Sequence, residues 1–487
     1  MRRRPNNPWV QQSVSPDILA LRWRRQETSL LIAVIFMVAV GLAAVDLSTV
    51  EHIQVMSIRI FAFVGVCALL IGFVTRTWAR FADPVIAPIA MLLLGIGLIQ
   101  IHRLDIAEQI QAITTAQPIP TARAPQQALW AVVGILAFSA VLAIVREHRR
   151  LQRLTWTITL LGLVMLLLPL VPGLGRTIRG ATLWVSIGGF SIQPAEVAKV
   201  LLTIGFSAYL TRYGRSLALL RARIAGVAVP RPRDFIPLLL IWLVSLGVLI
   251  LQRDLGTSLL FFGLFVVLLY ASTGQRLWAL LGLALFLTGS VIGWVLFSHV
   301  QVRVNLWVNP FTGDGTSQVA LGLYGIADGG LFGSGLGQGF PSLVPFAESD
   351  FIFASISEEL GLAGSIACLI LYAFLVQRGM RTSLQLRDTF GSLLAMSLAT
   401  VIALQTFVVI GGVTRLIPLT GLTTPFLSYG GSSLASNFIV IALLLRLSHS
   451  AREPRPEFKQ TTFSTGPMPT TSPDDETQEF NPVGGTT

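Results

Sequence analysis

Apolar runs of nearly twenty residues recur along almost the whole chain, and no other feature constrains its fold as strongly. A helix of about 20 residues crosses the hydrocarbon core of a membrane, which is roughly 30 Å thick. In lipid a helix satisfies its own backbone hydrogen bonds. Charged residues make up only 12% of the 487 residues, about half the share in a soluble domain. The sequence therefore predicts an all-α, polytopic membrane protein.

Twelve runs have about this length, and we expect each to form one transmembrane helix. Both cysteines, Cys67 and Cys368, fall inside these runs, so a disulfide framework and a cysteine-ligated metal site are not expected. The runs cover residues 29–47, 58–74, 84–101, 126–145, 154–172, 192–210, 235–251, 256–272, 277–298, 351–377, 388–412 and 423–448.

The net charge of +11 comes from arginines that are concentrated in the N-terminal segment and in alternate loops. Positive residues favour the cytoplasmic side of a membrane. We therefore expect both termini to be cytoplasmic. The segments 173–191, 252–255, 299–350 and 413–422 are then expected to face outward. The positive charge is an orientation signal, and nucleic acid is not an expected partner.

The segments outside the apolar runs suggest further divisions of the chain. Residues 1–28 form a basic cytoplasmic N-terminus, and residues 452–487 are too polar to repay the entropy of ordering, which predicts a disordered cytoplasmic tail. The long outward loop 299–350 contains apolar and aromatic residues that favour order. Its glycines, from Gly325 to Gly339, lack the context of a nucleotide-binding motif, so we expect a tight loop and no nucleotide.

Ionisable residues inside an apolar run cost roughly 2.5–3.5 kcal/mol each, so they are rare unless paired or functional. Glu196 and Lys199 stand three residues apart at the start of the sixth run, on one face of a helix. Two interpretations stay open. The two residues form a structural ion pair that fixes helix packing, or Lys199 holds an anionic group of a substrate.

Asp350 lies at the outer boundary of the tenth run, beside Phe351 and Phe353. A carboxylate in this position can act as a general base. It can equally cap the helix that follows, and the sequence does not separate these roles. Glu358 lies on the same helical face as Asp350, and we expect Glu358 or Glu359 to be paired inside the bundle.

Two shorter outward segments carry further polar residues. In the turn 252–257, Asp254 or Thr257 is expected to cap the next helix. In the last outward loop, Arg415 lies between apolar runs. The following segment 425–433 contains proline and glycines that predict a break near the start of the twelfth helix. A broken helix is tolerated in a membrane only where it lines a cavity or is covered by protein.

Taken together, four separated motifs resemble those of the FtsW/RodA/SpoVE (SEDS) family over roughly residues 84–448. The resemblance implies a ten-helix core over residues 84–451. It leaves two helices within residues 29–83 as an N-terminal extension like that of actinobacterial-type members. The motifs are Gly180-Ala181 with Trp184 leading to residues 193–199, residues 252–257, residues 349–354 with 358–361, and residues 425–433.

The resemblance implies a peptidoglycan glycosyltransferase that polymerises lipid II into glycan strands at the outer face of the cell membrane, for cell shape or division. It also implies a class B penicillin-binding protein as the partner that crosslinks the strands. Asp350 matches the family's catalytic aspartate. It would accept the proton of the attacking 4-hydroxyl while polyprenyl diphosphate leaves, with inversion at the anomeric carbon.

The leaving diphosphate needs positive charge rather than a proton. Lys199, Arg303, Arg415 or a divalent cation such as Mg²⁺ or Mn²⁺ could supply it. The candidate metal ligands are Asp350, Glu358 and Glu196. The full set of candidate substrate-binding residues is Lys199, Glu196, Arg303, Arg415, Glu358, Trp184, Gln193 and Ser432.

This chain departs from the family pattern before Trp184. It has Leu183 where the family often has arginine, and Arg176 or Arg179 could substitute. Two other functions stay open. A lipid II flippase would need the same helices and a polar cavity but no outward-facing base. A noncatalytic scaffold for the penicillin-binding protein would need only lateral helix surfaces.

Overall fold

The computed structural model describes residues 16–178, 180–187, 190–218, 222–224, 227–229, 232–311 and 317–454. The predictions for residues 1–15 and for the tail beyond residue 454 lie outside these residues. Fifteen α-helices run through the described part: α1 (Pro16–Thr49), α2 (Val55–Trp78), α3 (Ile86–Thr114), α4 (Arg123–Ile144), α5 (Arg149–Arg153), α6 (Thr155–Leu167), α7 (Pro194–Ala218), α8 (Pro232–Leu251), α9 (Leu255–Thr273), α10 (Arg276–Leu296), α11 (Ser298–Val308), α12 (Gln318–Gly329), α13 (Ile352–Gln385), α14 (Thr389–Val413) and α15 (Gly431–Arg452).

Each of the twelve predicted runs coincides with one helix, namely α1 to α4, α6 to α10 and α13 to α15. Among the described residues, ten helices are long and apolar enough to cross a membrane. The other two are α6, which is short, and α7, which contains the charged residues Glu196 and Lys199. The prediction of an all-α, polytopic membrane protein is confirmed.

The segment 173–191 was expected to be an outward loop, but it forms a small antiparallel sheet. Its strands are β1 (Gly175–Ile178), β2 (Ala181–Ile187) and β3 (Phe190–Ile192), in the order β1-β2-β3. A second hairpin pairs β4 (Ala222–Ile224) with β5 (Val227–Val229). These strands have three to seven residues. A search for apolar runs of about 20 residues does not detect strands this short.

The long loop 299–350 is ordered where it is described, as its composition predicted. It contains α11, α12 and a 3-10 turn at Pro341–Leu343. Residues 330–339, which we call the glycine loop, pack against a break in α13 at Gly361, where φ is 67°. Gly335 N donates to Glu359 O at 3.0 Å, and Leu362 N donates to Gly330 O at 3.0 Å. The glycine loop thus satisfies backbone groups that the break would leave unpaired.

Close approach explains the glycines at this contact. A Cβ on Gly361 would lie 2.3 Å from Gly333 N, and a Cβ on Gly333 would lie 2.2 Å from Glu359 O. Gly333 also has a φ of 86°, a left-handed conformation that favours glycine. The sequence predicted a tight loop, and the structure identifies the broken helix as its main partner.

Four segments meet at one end of the helix bundle, which we call the loop end. It consists of the described residues within 173–193, 252–254, 298–350 and 414–430. Arg253 Nη1 donates to Gly180 O at 3.3 Å, which joins the small sheet to the 252–254 turn. Tyr429 N donates to Glu348 O at 2.8 Å, which joins the last loop to the turn before α13. Residues far apart in sequence therefore share one surface.

A buried polar cluster fixes α1 and α2 onto α3. Asp46 Oδ1 lies 3.1 Å from His102 Nε2, and Ser57 Oγ lies 2.9 Å from the same nitrogen. The other oxygen of Asp46 accepts from Gln54 N at 2.8 Å. All three side chains of the cluster are buried. Because both contacts use one ring nitrogen, the cluster is not a relay through His102 and we assign it to helix packing.

We predict that Asp46→Ala lowers the free energy of unfolding by about 3 kcal/mol, because it removes the buried carboxylate that pairs with His102 and accepts from Gln54 N. Thermal unfolding of the detergent-purified chain measures this loss. The control is Asp17→Ala, because Asp17 is exposed and pairs with Arg80 at 3.6 Å. Equal melting temperatures for the two variants would contradict a packing role for the cluster.

Candidate active site

Asp350 lies in the tight turn that leads into α13. Phe351 N and Ser349 N both donate to Phe346 O, at 3.1 and 3.0 Å. Phe346 has a φ of 61°, so this turn depends on a left-handed residue. Phe351, not Asp350, occupies the N-cap position of α13. The structure therefore does not place Asp350 where the helix-cap interpretation requires it.

Arg303 approaches Asp350 across the last loop. A Cβ on Gly421 would lie 3.7 Å from Arg303 Nη2 and 3.9 Å from Asp350 Oδ2. Gly421 has a φ of 75°, so glycine is favoured there on conformational grounds as well. Arg303 Nη1 donates to Leu419 O at 2.9 Å, which fixes the guanidinium against the loop. A carboxylate and a guanidinium therefore lie close to one glycine at the loop end.

Asp254 adds a second carboxyl group to this region. Its carboxylate caps α9, as the sequence predicted, by accepting from Thr257 N at 2.9 Å. Burial raises the pKa of Asp254 above its ordinary value, and Arg303 opposes that shift. Burial also lowers the pKa of Arg303, whereas the charges of Asp350 and Asp254 raise it. The guanidinium of arginine is not deprotonated in proteins, so Arg303 stays positively charged.

Glu196 and Lys199 form a buried ion pair at 2.6 Å. Lys199 is only 3% exposed, and its Nζ also donates to Gln405 Oε1 at 2.8 Å. Ser436 Oγ donates to Glu196 Oε2 at 2.8 Å. The pair therefore connects α7 with α14 and α15. Of the two interpretations left open, this geometry favours the structural ion pair.

The other candidate residues lie at the loop end but do not all face Asp350. Gln193 N donates to Ser432 Oγ at 2.9 Å, so these two residues join the starts of α7 and α15. Trp184 lies in β2 opposite Arg176 of β1, whereas Arg179 lies outside the described residues. Arg415 donates to Trp307 O and Val308 O, at 2.8 and 2.7 Å, and so binds the C-terminal end of α11.

Glu358 and Glu359 are both engaged inside the bundle, as expected. Glu358 Oε1 accepts from Phe340 N. Glu359 Oε1 accepts from Arg103 Nε at 2.9 Å, and Arg103 also donates to Gly339 O at 2.8 Å. The two carboxylates therefore hold the glycine loop and α3 against the broken part of α13.

The three candidate metal ligands are not brought together. Glu196 is paired with Lys199, and Glu358 binds Phe340 N, away from Asp350. The part of the chain described by the structure contains no group of three or more His, Cys, Asp or Glu residues placed to hold a metal ion. Asp350, Glu358 and Glu196 therefore do not form a common site for a divalent cation.

The family described as "Cell cycle protein", which comprises FtsW, RodA and SpoVE, matches this chain over residues 84–453. The chain belongs to the FtsW/RodA/SpoVE family. The match begins after α2 and includes Asp350, Arg303 and the Glu196–Lys199 pair. It confirms the resemblance that the four motifs indicated.

Curated members of the FtsW/RodA/SpoVE family cover most of this chain. The peptidoglycan glycosyltransferase RodA of Mycobacterium tuberculosis strain H37Rv is 45% identical over 400 residues, which are 80% of this chain and 84% of that protein. Stage V sporulation protein E of Bacillus subtilis is 33% identical over 380 residues, 76% of this chain and 98% of that protein.

Solved structures show the same fold at lower identity. One chain, from work on the structural coordination of polymerization and crosslinking by a peptidoglycan synthase complex, is 24% identical with a TM-score of 0.58 and covers 77% of this chain and 99% of that one. The crystal structure of Thermus thermophilus rod shape determining protein RodA is 23% identical with a TM-score of 0.51, covering 77% and 98%.

Sequence reasoning missed the partners of the buried pair. Gln405 donates from Nε2 to Thr423 O at 2.9 Å, so it links Lys199 to the last loop. A polar residue in the middle of an apolar run was the available signal. No comparable signal marked Gly421 in the sequence. Its importance comes from its left-handed backbone conformation and from its proximity to Arg303 and Asp350, which are distant in sequence.

We predict that Lys199→Met destabilises the protein by about 3–5 kcal/mol, because it leaves the Glu196 carboxylate buried without a counter-charge. The double variant Glu196→Gln/Lys199→Met should recover most of that loss, since neither side chain is then charged. Thermal unfolding of both variants in detergent measures the difference. A single variant as stable as the native chain would contradict the structural role of the pair.

Proposed function

We propose that this chain is a peptidoglycan glycosyltransferase that polymerises lipid II, with Asp350 as the general base. Its family relatives are named peptidoglycan glycosyltransferases. The observation that carries the proposal is that Asp350 and Arg303 both lie beside Gly421. A base and a fixed cation at one place are the two groups that glycosyl transfer from a diphosphate requires.

Asp350 accepts the proton of the acceptor's 4-hydroxyl as that oxygen attacks the anomeric carbon of the donor. The new glycosidic bond forms while the bond to the diphosphate oxygen breaks. Both electrons of the broken bond leave with polyprenyl diphosphate, and attack from the opposite face converts an α-linked donor into a β-linked product. No covalent sugar intermediate on the protein is needed.

Arg303 stabilises the charge that develops on the leaving diphosphate. Its guanidinium is anchored to Leu419 O, so little reorganisation accompanies the reaction. Lys199 is buried and paired, and we assign it to positioning of the helices. Arg415 is occupied with the end of α11 and lies outside this step. Mg²⁺ or Mn²⁺ stays a separate proposal, which polymerisation in the presence of EDTA would test.

The reaction is proposed to occur at the outer face of the cell membrane. The arginine distribution supports this side, because the segments that form the loop end are the ones with few positive residues. The proposed partner is a class B penicillin-binding protein. This part of the proposal is supported by a fold relative that was studied in a complex coordinating polymerization and crosslinking.

We predict that Asp350→Asn lowers the rate of glycan polymerisation by about 10²–10⁴-fold, because the amide cannot accept the hydroxyl proton. The measurement is strand formation from purified lipid II, by the chain and its cognate penicillin-binding protein under β-lactam block. Melting temperature shows that the variant is folded.

The matched control for this experiment is Glu348→Gln, two residues earlier in the same turn. Glu348 faces Arg123 at 3.6 Å, so we expect its neutral variant to keep polymerisation within a few-fold. Normal polymer from Asp350→Asn would overturn the assignment of the base. If the native chain forms no polymer but scrambles lipid II, the result would favour a flippase instead.

We also predict that Arg303→Gln lowers the polymerisation rate by about 10²–10³-fold, because a donor to the developing charge is lost. Arg303→Lys should restore part of the rate, since it keeps the charge but not the fork of donors. The comparison uses the same strand-formation assay. Equal rates for the Gln and Lys variants would contradict a role of this charge in the reaction.

A further inference from the structure

A basic cavity lies at the end of the bundle away from the loop end. Arg212 is eighteen residues along α7 from Pro194, which corresponds to about 27 Å of helix. The cavity has a volume of about 360 Å³ and lies between α5, the start of α6 and the C-terminal half of α7. Its lining residues are Arg149, Gln152, Arg153, Thr155, Ala208 and Arg212.

In the described part of the chain, the three arginines of this cavity have no carboxylate within ion-pair distance. Within the described ranges, Arg149, Arg153 and Arg212 form no ion pair with a carboxylate at 4 Å or less. The charge of Arg149 acts on Asp388, but that carboxylate is already bonded to His148 and to Gly391 N. The Arg212 guanidinium also lies 5.6 Å from the centroid of the Tyr213 ring, which is uncharged. The cavity therefore concentrates about three positive charges that no described carboxylate pairs with at 4 Å or less.

The surroundings of the cavity mark the level of lipid headgroups. Trp156 follows the cavity residue Thr155, is 55% exposed, and contacts the Tyr209 ring edge-on at 5.8 Å between centroids. Tryptophan and tyrosine are enriched where a membrane meets water. Farther along α6, Leu160 is 63% exposed and continues an apolar surface. The arginines thus stand directly beside a surface suited to acyl chains.

We propose that this cavity binds the phosphate ester of an anionic phospholipid, whose acyl chains lie along α6. Arginine donates two parallel hydrogen bonds to phosphate oxygens, and three arginines can surround one headgroup. Thr155 Oγ1 already donates to Gln152 O at 2.6 Å, so the arginines and the Gln152 amide are the donors. Basic pockets between transmembrane helices on the cytoplasmic side bind anionic headgroups.

Inorganic phosphate has the same charged chemistry, but the position of the cavity favours a lipid. A free anion gains nothing from the exposed apolar surface of Trp156 and Leu160. A phospholipid buries acyl carbons against it at the same time as its phosphate contacts the arginines. The cavity is therefore proposed to recognise two parts of the lipid, the charged phosphate and the acyl chains that lie next to it in the membrane.

Native mass spectrometry of the full-length chain in a neutral detergent tests this proposal. The chain is titrated separately with phosphatidylglycerol, phosphatidylcholine and inorganic phosphate. The cavity variant is Arg149→Gln/Arg153→Gln/Arg212→Gln. The control, Arg276→Gln/Arg381→Gln/Arg387→Gln, removes three positive charges from exposed arginines outside the cavity. Neutral detergent removes the general attraction of a basic protein to a charged bilayer.

We expect the cavity variant to bind phosphatidylglycerol about 100-fold more weakly than the native chain, from roughly 1 kcal/mol for each arginine. The control variant should bind like the native chain. Added phosphatidylglycerol should also raise the melting temperature of the native chain but not that of the cavity variant. The single variant Arg212→Gln provides an intermediate loss if the triple variant fails to fold.

Three results would overturn the proposal. Equal loss in the cavity and control variants would mean that binding depends on overall charge. Equal affinity of the native chain for phosphatidylcholine would mean that the headgroup charge is not recognised. Inorganic phosphate that binds as tightly as phosphatidylglycerol would identify a soluble anion as the occupant.

Discussion

The ion pair of Lys199 with Glu196 is the interaction on which the loop end depends. Between helices in lipid there is no hydrophobic driving force, so packing and interhelical polar contacts determine how they associate. This pair joins α7 to α14 through Gln405 and to α15 through Ser436. Gln405 then holds Thr423 of the last loop. That loop contains Gly421, and Asp350 and Arg303 lie beside it. The buried ion pair has no role in the proposed chemistry, but it helps to position Asp350 and Arg303, which do.

The broken helix α13 is the second constraint. A break in a membrane helix exposes backbone groups that need partners, and here the glycine loop supplies them. Arg103 fastens the same region by bonding both Glu359 and Gly339. The neighbouring residue on α3, His102, faces Asp46 of α1. Adjacent residues of one helix therefore connect the N-terminal helices to the helix that follows Asp350.

The sequence was sufficient for the features that depend on local pattern. Twelve apolar runs located twelve helices, because a membrane imposes one length on all of them. The Asp254 cap and the inward pairing of Glu359 followed from elementary rules of caps and buried charge. The sheet at 175–192 was missed, since short strands have no hydropathy signature of their own. The partners of Arg415 and Glu358 could not be predicted, because they belong to other segments of the chain.

The arginines of this chain differ in function according to what already neutralises them. Arg103 is balanced by Glu359 and is structural. Arg303 interacts electrostatically with two carboxylates, Asp350 and Asp254, which partly compensate its positive charge. Its hydrogen bond to Leu419 O fixes the position of that charge. The arginines of the basic cavity have no such partner in the described structure, and an uncompensated cluster attracts negative charge from outside the protein. Arginine thus contributes to packing, to the proposed catalysis and to the proposed lipid recognition. The carboxylates near each arginine determine which of these three roles it has.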